Sequence, residues 1–71
     1  MKFIRLTLYE NKDYIRVNFE AVVFYKEMYD KESNEHYTNI VFVNSRMNPI
    51  QVIETVNEID KKLGRGQKLL N

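Results

Sequence analysis

Apolar and polar side chains alternate along most of the chain, and a helical spacing replaces the alternation only toward the C-terminus. From Lys2 to Tyr9, Ile4, Leu6 and Leu8 fall on one side and Phe3, Arg5, Thr7 and Tyr9 on the other. A period of two carried by β-branched and aromatic residues predicts a strand. Glu10-Asn11-Lys12-Asp13 reads as a turn, because Asn and Asp tolerate turn dihedrals and bond to nearby backbone. Alternation resumes from Tyr14 to Asn18, with Ile15 and Val17 opposite Tyr14 and Arg16, so the two runs form an antiparallel hairpin. Asn18 to Ala21 breaks the pattern and is too short for a helix of its own. A tight turn or a bulge is expected there, which leaves the register of the next strand open by one residue.

Val22 to Tyr29 and Tyr37 to Val43 read as the third and fourth strands, joined through a solvated loop from Asp30 to Glu35. Val22 to Tyr25 and Ile40 to Val43 are apolar at consecutive positions, as in strands covered on both faces. A helix is expected from Asn48, with Asn48 as N-cap, Pro49 at the first helical position and Gln51 at the capping-box spacing. Val52, Ile53, Val56, Ile59 and Leu63 form its apolar stripe, with Glu54, Glu58, Lys61 and Lys62 on the other face. Acidic residues early and basic residues late suit the helix dipole, and Gly64 stops the helix. The expected fold is α+β: a small four-stranded antiparallel sheet in ββββα order with one C-terminal amphipathic helix packed on one face. Residues 1–64 form the single domain, and residues 65–71 are expected to be a mobile tail that carries Leu69 and Leu70.

One helix covers one face of a sheet. The covered face takes Ile4, Leu6, Leu8, Ile15, Val17, Phe24, Ile40 and Phe42. The opposite face carries Arg5, Tyr9, Tyr14, Arg16, Tyr25, Tyr37, Val41 and Val43, and these are the candidate binding or oligomer-interface residues. A contiguous patch of that kind exceeds what a soluble monomer exposes, and Tyr and Arg are enriched at interface hot spots. Three uses compete. The first is a homo-oligomer built through the sheet. The second is docking onto a different protein. The third is a platform for a nucleotide or single-stranded nucleic acid, with tyrosines stacking on bases and Arg5 and Arg16 meeting phosphates.

Length sharpens the choice. A chain of 71 residues makes one domain with a marginal core. It has no cysteine for a disulfide, and a single histidine is no basis for a structural zinc, so self-association is the compensation left. The absence of cysteine fits a reducing compartment, and with no signal-like segment the cytoplasm is expected. The longest uncharged apolar stretch, Ala21 to Tyr25, is far too short to cross a bilayer, so no membrane partner is expected. The net charge of +1 provides no global field toward nucleic acid.

Catalytic chemistry finds little support. His36 sits at a loop edge with no partner base or pocket implied, and Ser33 and Ser45 lack a nucleophile's spacing. Asp30, Glu32 and Glu35 lack the spacing and glycine of a calcium loop. Glu54 and Glu58 read as solubilising charge, and Met28 and Met47 as gap-fillers. Gly64 and Gly66 follow the helix, where they cradle no phosphate. No catalytic residue, metal or cofactor is expected, and the protein is read as a non-enzymatic interaction module.

The runs Ile4-Arg5-Leu6-Thr7 and Ile15-Arg16-Val17-Asn18, with a closing strand, Ser45 and helix, resemble the small FlbD-type proteins associated with flagellar operons. The resemblance spans residues 3 to 63 as an order of elements, with a handful of matching residues. Asn11-Lys12 replaces the glycine common in that family's first turn, and the Asp30 to Glu35 loop lacks its Pro-Asp-Thr. The resemblance implies the order of strands and helix and a non-enzymatic role, with no catalytic residue to carry over.

Overall fold

In the computed structural model, residues 3–64 are described. The expected tail, residues 65–71, lies outside them. Phe3–Thr7 (β1) and Tyr14–Asn18 (β2) pair antiparallel in an unbroken register, with Ile4 opposite Val17 and Leu6 opposite Ile15. Their turn closes through Leu8 N–H to the Asp13 carbonyl at 2.8 Å and Lys12 N–H to the Leu8 carbonyl at 2.9 Å. Asn11 Oδ1 accepts from the Asp13 N–H at 3.0 Å. Lys12 holds a left-handed φ of 66°, a conformation that favours glycine.

The break after Asn18 is one 3₁₀ turn, Phe19–Ala21, and not simply a tight turn or bulge. Asn18 caps it by accepting from the Glu20 N–H, and Phe19 drops its ring into the core. Val22–Asp30 (β3) and Glu35–Phe42 (β4) follow as an antiparallel hairpin, with Asn34 left-handed in the loop. The register shifts between Val22 and Phe24, so Val23 is the extra residue of a bulge.

A single extra residue reverses which side chains face inward. Tyr25 stands opposite the fully buried Ile40 and packs on the core, whereas Phe24 stands opposite Val41 and is exposed. The sequence expectation had these two the other way round.

The main correction lies between residues 48 and 55. Ile50–Val52 is a fifth strand (β5), antiparallel to β4, with Ile50 opposite Ile40 and Val52 opposite Thr38. The helix (α1) is only Val56–Leu63, capped by Thr55 in a reciprocal box with Glu58. Asn48, Pro49 and Gln51 therefore do not start a helix. Two forces favour the later start. Ile50-Gln51-Val52 alternates and buries Val52 completely against β4, and Thr55-x-x-Glu58 satisfies two orphan helix donors at once. The C-terminal end agrees with expectation: Gly64 adopts a left-handed φ of 76° and its N–H caps Asp60 and Lys61.

The architecture is thus α+β with five strands in two antiparallel sheets, β1-β2 and β3-β4-β5, and not one four-stranded sheet. β5 joins the two sheets. Leu8 bridges Val52, Tyr9 N–H donates to the Gln51 carbonyl at 2.9 Å, and Ile53 N–H donates to the Thr7 carbonyl at 3.0 Å. The core gathers Leu6, Val17, Phe19, Ile40 and Val52 from the sheets and Ile59 and Leu63 from the helix. Every buried side-chain nitrogen and oxygen among the described residues has a hydrogen-bond partner.

Candidate functional site

The expected binding residues divide into three groups. Arg5 and Arg16 lie directly opposite each other on the outer face of the β1-β2 hairpin, and the Arg5 guanidinium sits 5.1 Å from the centre of the Tyr14 ring. All three are exposed, with Tyr14 at 71%. Among the described residues no carboxylate forms an ion pair with either arginine, whereas His36 pairs with Glu27.

A second group, Tyr9 and Tyr37, stacks with ring centres 4.8 Å apart at the far end of the sheet. Tyr9 also donates to Glu35 at 3.0 Å and lies 3.1 Å from the Ser33 hydroxyl. The Ser33 bond favours the phenolate. Desolvation, the Glu35 bond and the charges of Glu35 and Asp30 together outweigh it, and the phenol is held above its ordinary pKa. These contacts fasten the first hairpin to the β3–β4 loop and account for both tyrosines structurally.

The third group is scattered. Val41 is half-buried beside Phe24, and Val43 lies exposed beyond the end of β4, where its N–H bonds the Ala21 carbonyl at 2.8 Å. Tyr25 leaves the candidate surface altogether. Its ring meets Phe19 edge-on at 5.7 Å and its hydroxyl donates to Asp60 of the helix. Thr7, also placed on the open face by alternation, is buried under Glu54.

Beside the arginine pair lies a feature that local pattern did not reveal. An open groove of about 390 Å³ runs along β2, with Ile15, Arg16, Val17 and Asn18 as one wall. Phe3, Ala21, Phe42, Met47 and Ile50 complete the lining. Pockets that take small ligands run about 300–1,000 Å³, so the volume is sufficient for one or two large side chains. Four successive β2 residues can line it because β2 pairs with β1 on one edge only. Phe3 and Met47 are each 49% exposed at its mouth. The one sequence signal for the rest of the lining was the alternation of Ile50-Gln51-Val52, obscured by the apolar stripe of the helix that follows.

The residues weighed for catalysis are accounted for differently. His36 is exposed at the start of β4, its Nδ1 3.1 Å from Glu27 Oε2 and its ring against Tyr29. Glu54 precedes the helix and binds Thr7, and Glu58 completes the helix cap, so neither is free solubilising charge. Among the described residues no cluster of His, Asp and Glu is arranged to hold a metal. No helix among them is long and apolar enough to cross a membrane. No protein-family model matches the chain, and neither curated proteins nor solved structures give a significant match, so the comparisons neither support nor oppose the FlbD-type resemblance.

Proposed function

We propose that the protein is a small binding module that docks a protein partner at the β2 groove and acts by occupancy, without turnover, in the cytoplasm. The observation that carries this reading is the groove itself: an apolar trough beside the open edge of β2, with Arg16 in its lining and no carboxylate paired with that arginine among the described residues. Apolar anchors surrounded by a polar rim are the anatomy of interfaces. Self-association through the sheet is less well supported than the sequence suggested. A symmetric pairing of two β2 edges about Arg16 brings like charges together. Tyr25, one of the expected interface residues, packs against the core.

A second reading keeps one observation. Tyr14 beside the arginine pair is also a fitting platform for single-stranded nucleic acid, with Tyr14 stacking and the guanidiniums on phosphates. The near-neutral net charge of +1 weighs against it.

Selection of an unbiased displayed-peptide library on the immobilised full chain tests the docking reading. Enriched families that compete for one site and lose binding to Met47→Glu are expected. No enrichment over an uncoated surface, or equal binding to Met47→Glu, would remove the proposal.

A further inference from the structure

We infer that the groove takes an extended acidic segment of another protein, added as a strand along β2, with an acidic side chain between two apolar ones. The inference rests on the docking reading and specifies its ligand. β2 has one hydrogen-bonded neighbour, β1, and its other edge offers free N–H and C=O groups among the described residues. An incoming strand satisfies that edge and alternates its side chains with those of β2. Residues opposite Ile15 and Val17 then point to the groove side, toward Met47 and Phe42. The residue between them stands opposite Arg16, on the face where Arg16 and Arg5 lie side by side with no carboxylate partner among the described residues. Apolar–acidic–apolar is the pattern this wall and this charge call for.

The β3 edge is guarded. β3 carries the Val23 bulge and the exposed Lys26 and Glu27, features that discourage strand addition. β2 is regular along all five residues. A second copy of β2 cannot supply the required acid, because its own central residue is Arg16.

The test is a fluorescence-anisotropy titration of the full chain with a short labelled peptide centred on leucine–glutamate–leucine, and with its leucine–lysine–leucine counterpart. The glutamate peptide is expected to bind saturably, to weaken with salt, and to shift the backbone amide signals of residues 14–18 in NMR. Arg16→Glu is expected to weaken it at least about tenfold and to reverse the preference in favour of the lysine peptide. Arg16 is exposed, so the exchange leaves the core intact. Equal binding of both peptides, or indifference to Arg16→Glu, overturns the inference. So does a chain that sediments as a dimer dissolved by the peptide, displacement of the Leu69 and Leu70 signals, or competition by a single-stranded oligonucleotide at matching affinity. If library peptides depend on Met47 but carry no such pattern, the docking reading stands and strand addition alone fails.

Discussion

Glu54 holds Thr7 with both carboxylate oxygens: Oε1 accepts from the Thr7 backbone N–H at 3.0 Å and Oε2 from the Thr7 hydroxyl at 3.0 Å. The Glu54 carbonyl in turn accepts from the buried Thr38 hydroxyl at 2.6 Å. One residue between β5 and the helix thereby ties β1 to β4, and with them the two sheets. A carboxylate that replaces a strand partner for a buried N–H cannot be removed cheaply. Glu54→Ala is expected to lower stability by about 2–4 kcal/mol, since it deletes two charge-assisted bonds and strands a buried donor. For a domain of this size that corresponds to a melting-point drop of roughly 8–30 °C. Glu54→Gln keeps one acceptor and should lose about half as much. Urea denaturation of the three proteins measures both, and a loss near zero in Glu54→Ala would mean that the clasp contributes nothing.

The start of the helix can be tested in the same way. Thr55→Ala removes the cap hydroxyl from the Glu58 N–H and should cost about 1 kcal/mol. Asn48→Ala should cost far less, because Asn48 lies exposed before β5 and caps nothing in the helix. The reverse order of these two losses in urea midpoints would restore the longer helix read from the sequence.

That misreading has a physical cause. Asn48-Pro49 and Gln51 satisfy every local rule for a helix start, and Val52 and Ile53 extend the stripe of Val56, Ile59 and Leu63 backward. Local rules do not register that β4 has an edge needing a partner, and pairing with it buries Val52 completely and Ile50 in part. The first hairpin was legible because both strands show clean alternation and their register is set by one short turn. The second was legible as a hairpin but not in its facing, because Val23 bulges without a sequence mark. The Arg5–Arg16–Tyr14 cluster followed from alternation alone. The groove did not, because Phe42, Met47 and Ile50 reach β2 only through tertiary packing.

Tyr25 shows what the facing error changes. As a surface residue, Tyr25→Asp would have split an oligomer and left the fold intact. With its ring on Phe19 and its hydroxyl on Asp60, the same exchange should instead unfold much of the protein. Tyr25→Phe keeps the ring and loses the hydroxyl's bond, for a cost of about 0.5–1.5 kcal/mol. Circular dichroism melts of the two variants separate the roles. A folded, fully stable Tyr25→Asp would place the side chain back on the surface.

The phenol of Tyr9 implies a pH dependence at the alkaline end. Its folded-state pKa is raised, so the folded protein holds this proton more tightly than the unfolded chain does. The stabilisation is complete below the unfolded value of about 10 and is lost as pH climbs through the folded value. Wild type should therefore exceed Tyr9→Phe in urea midpoint at about pH 8, and the gap should close above about pH 10. A gap that widens with pH would give the shift the opposite sign.

Arg5 opposite Arg16 is a like-charge cross-strand pair, an arrangement that costs stability where an opposite pair would add it. Arg16→Glu converts the repulsion to attraction while leaving Arg5 over Tyr14. The variant should be more stable than wild type by about 0.2–1 kcal/mol, with the gain shrinking as salt screens both states. The same exchange is the one expected to weaken binding of an acidic segment at least about tenfold. A residue whose replacement improves the fold and weakens recognition serves recognition, because no structural need accounts for it. Paired measurements on one variant therefore decide the point: urea midpoints at low and high salt beside peptide anisotropy under the same conditions. If Arg16→Glu destabilises the chain, the arginine belongs to the architecture of the hairpin, and its position at the rim of the groove is no longer an argument for a ligand.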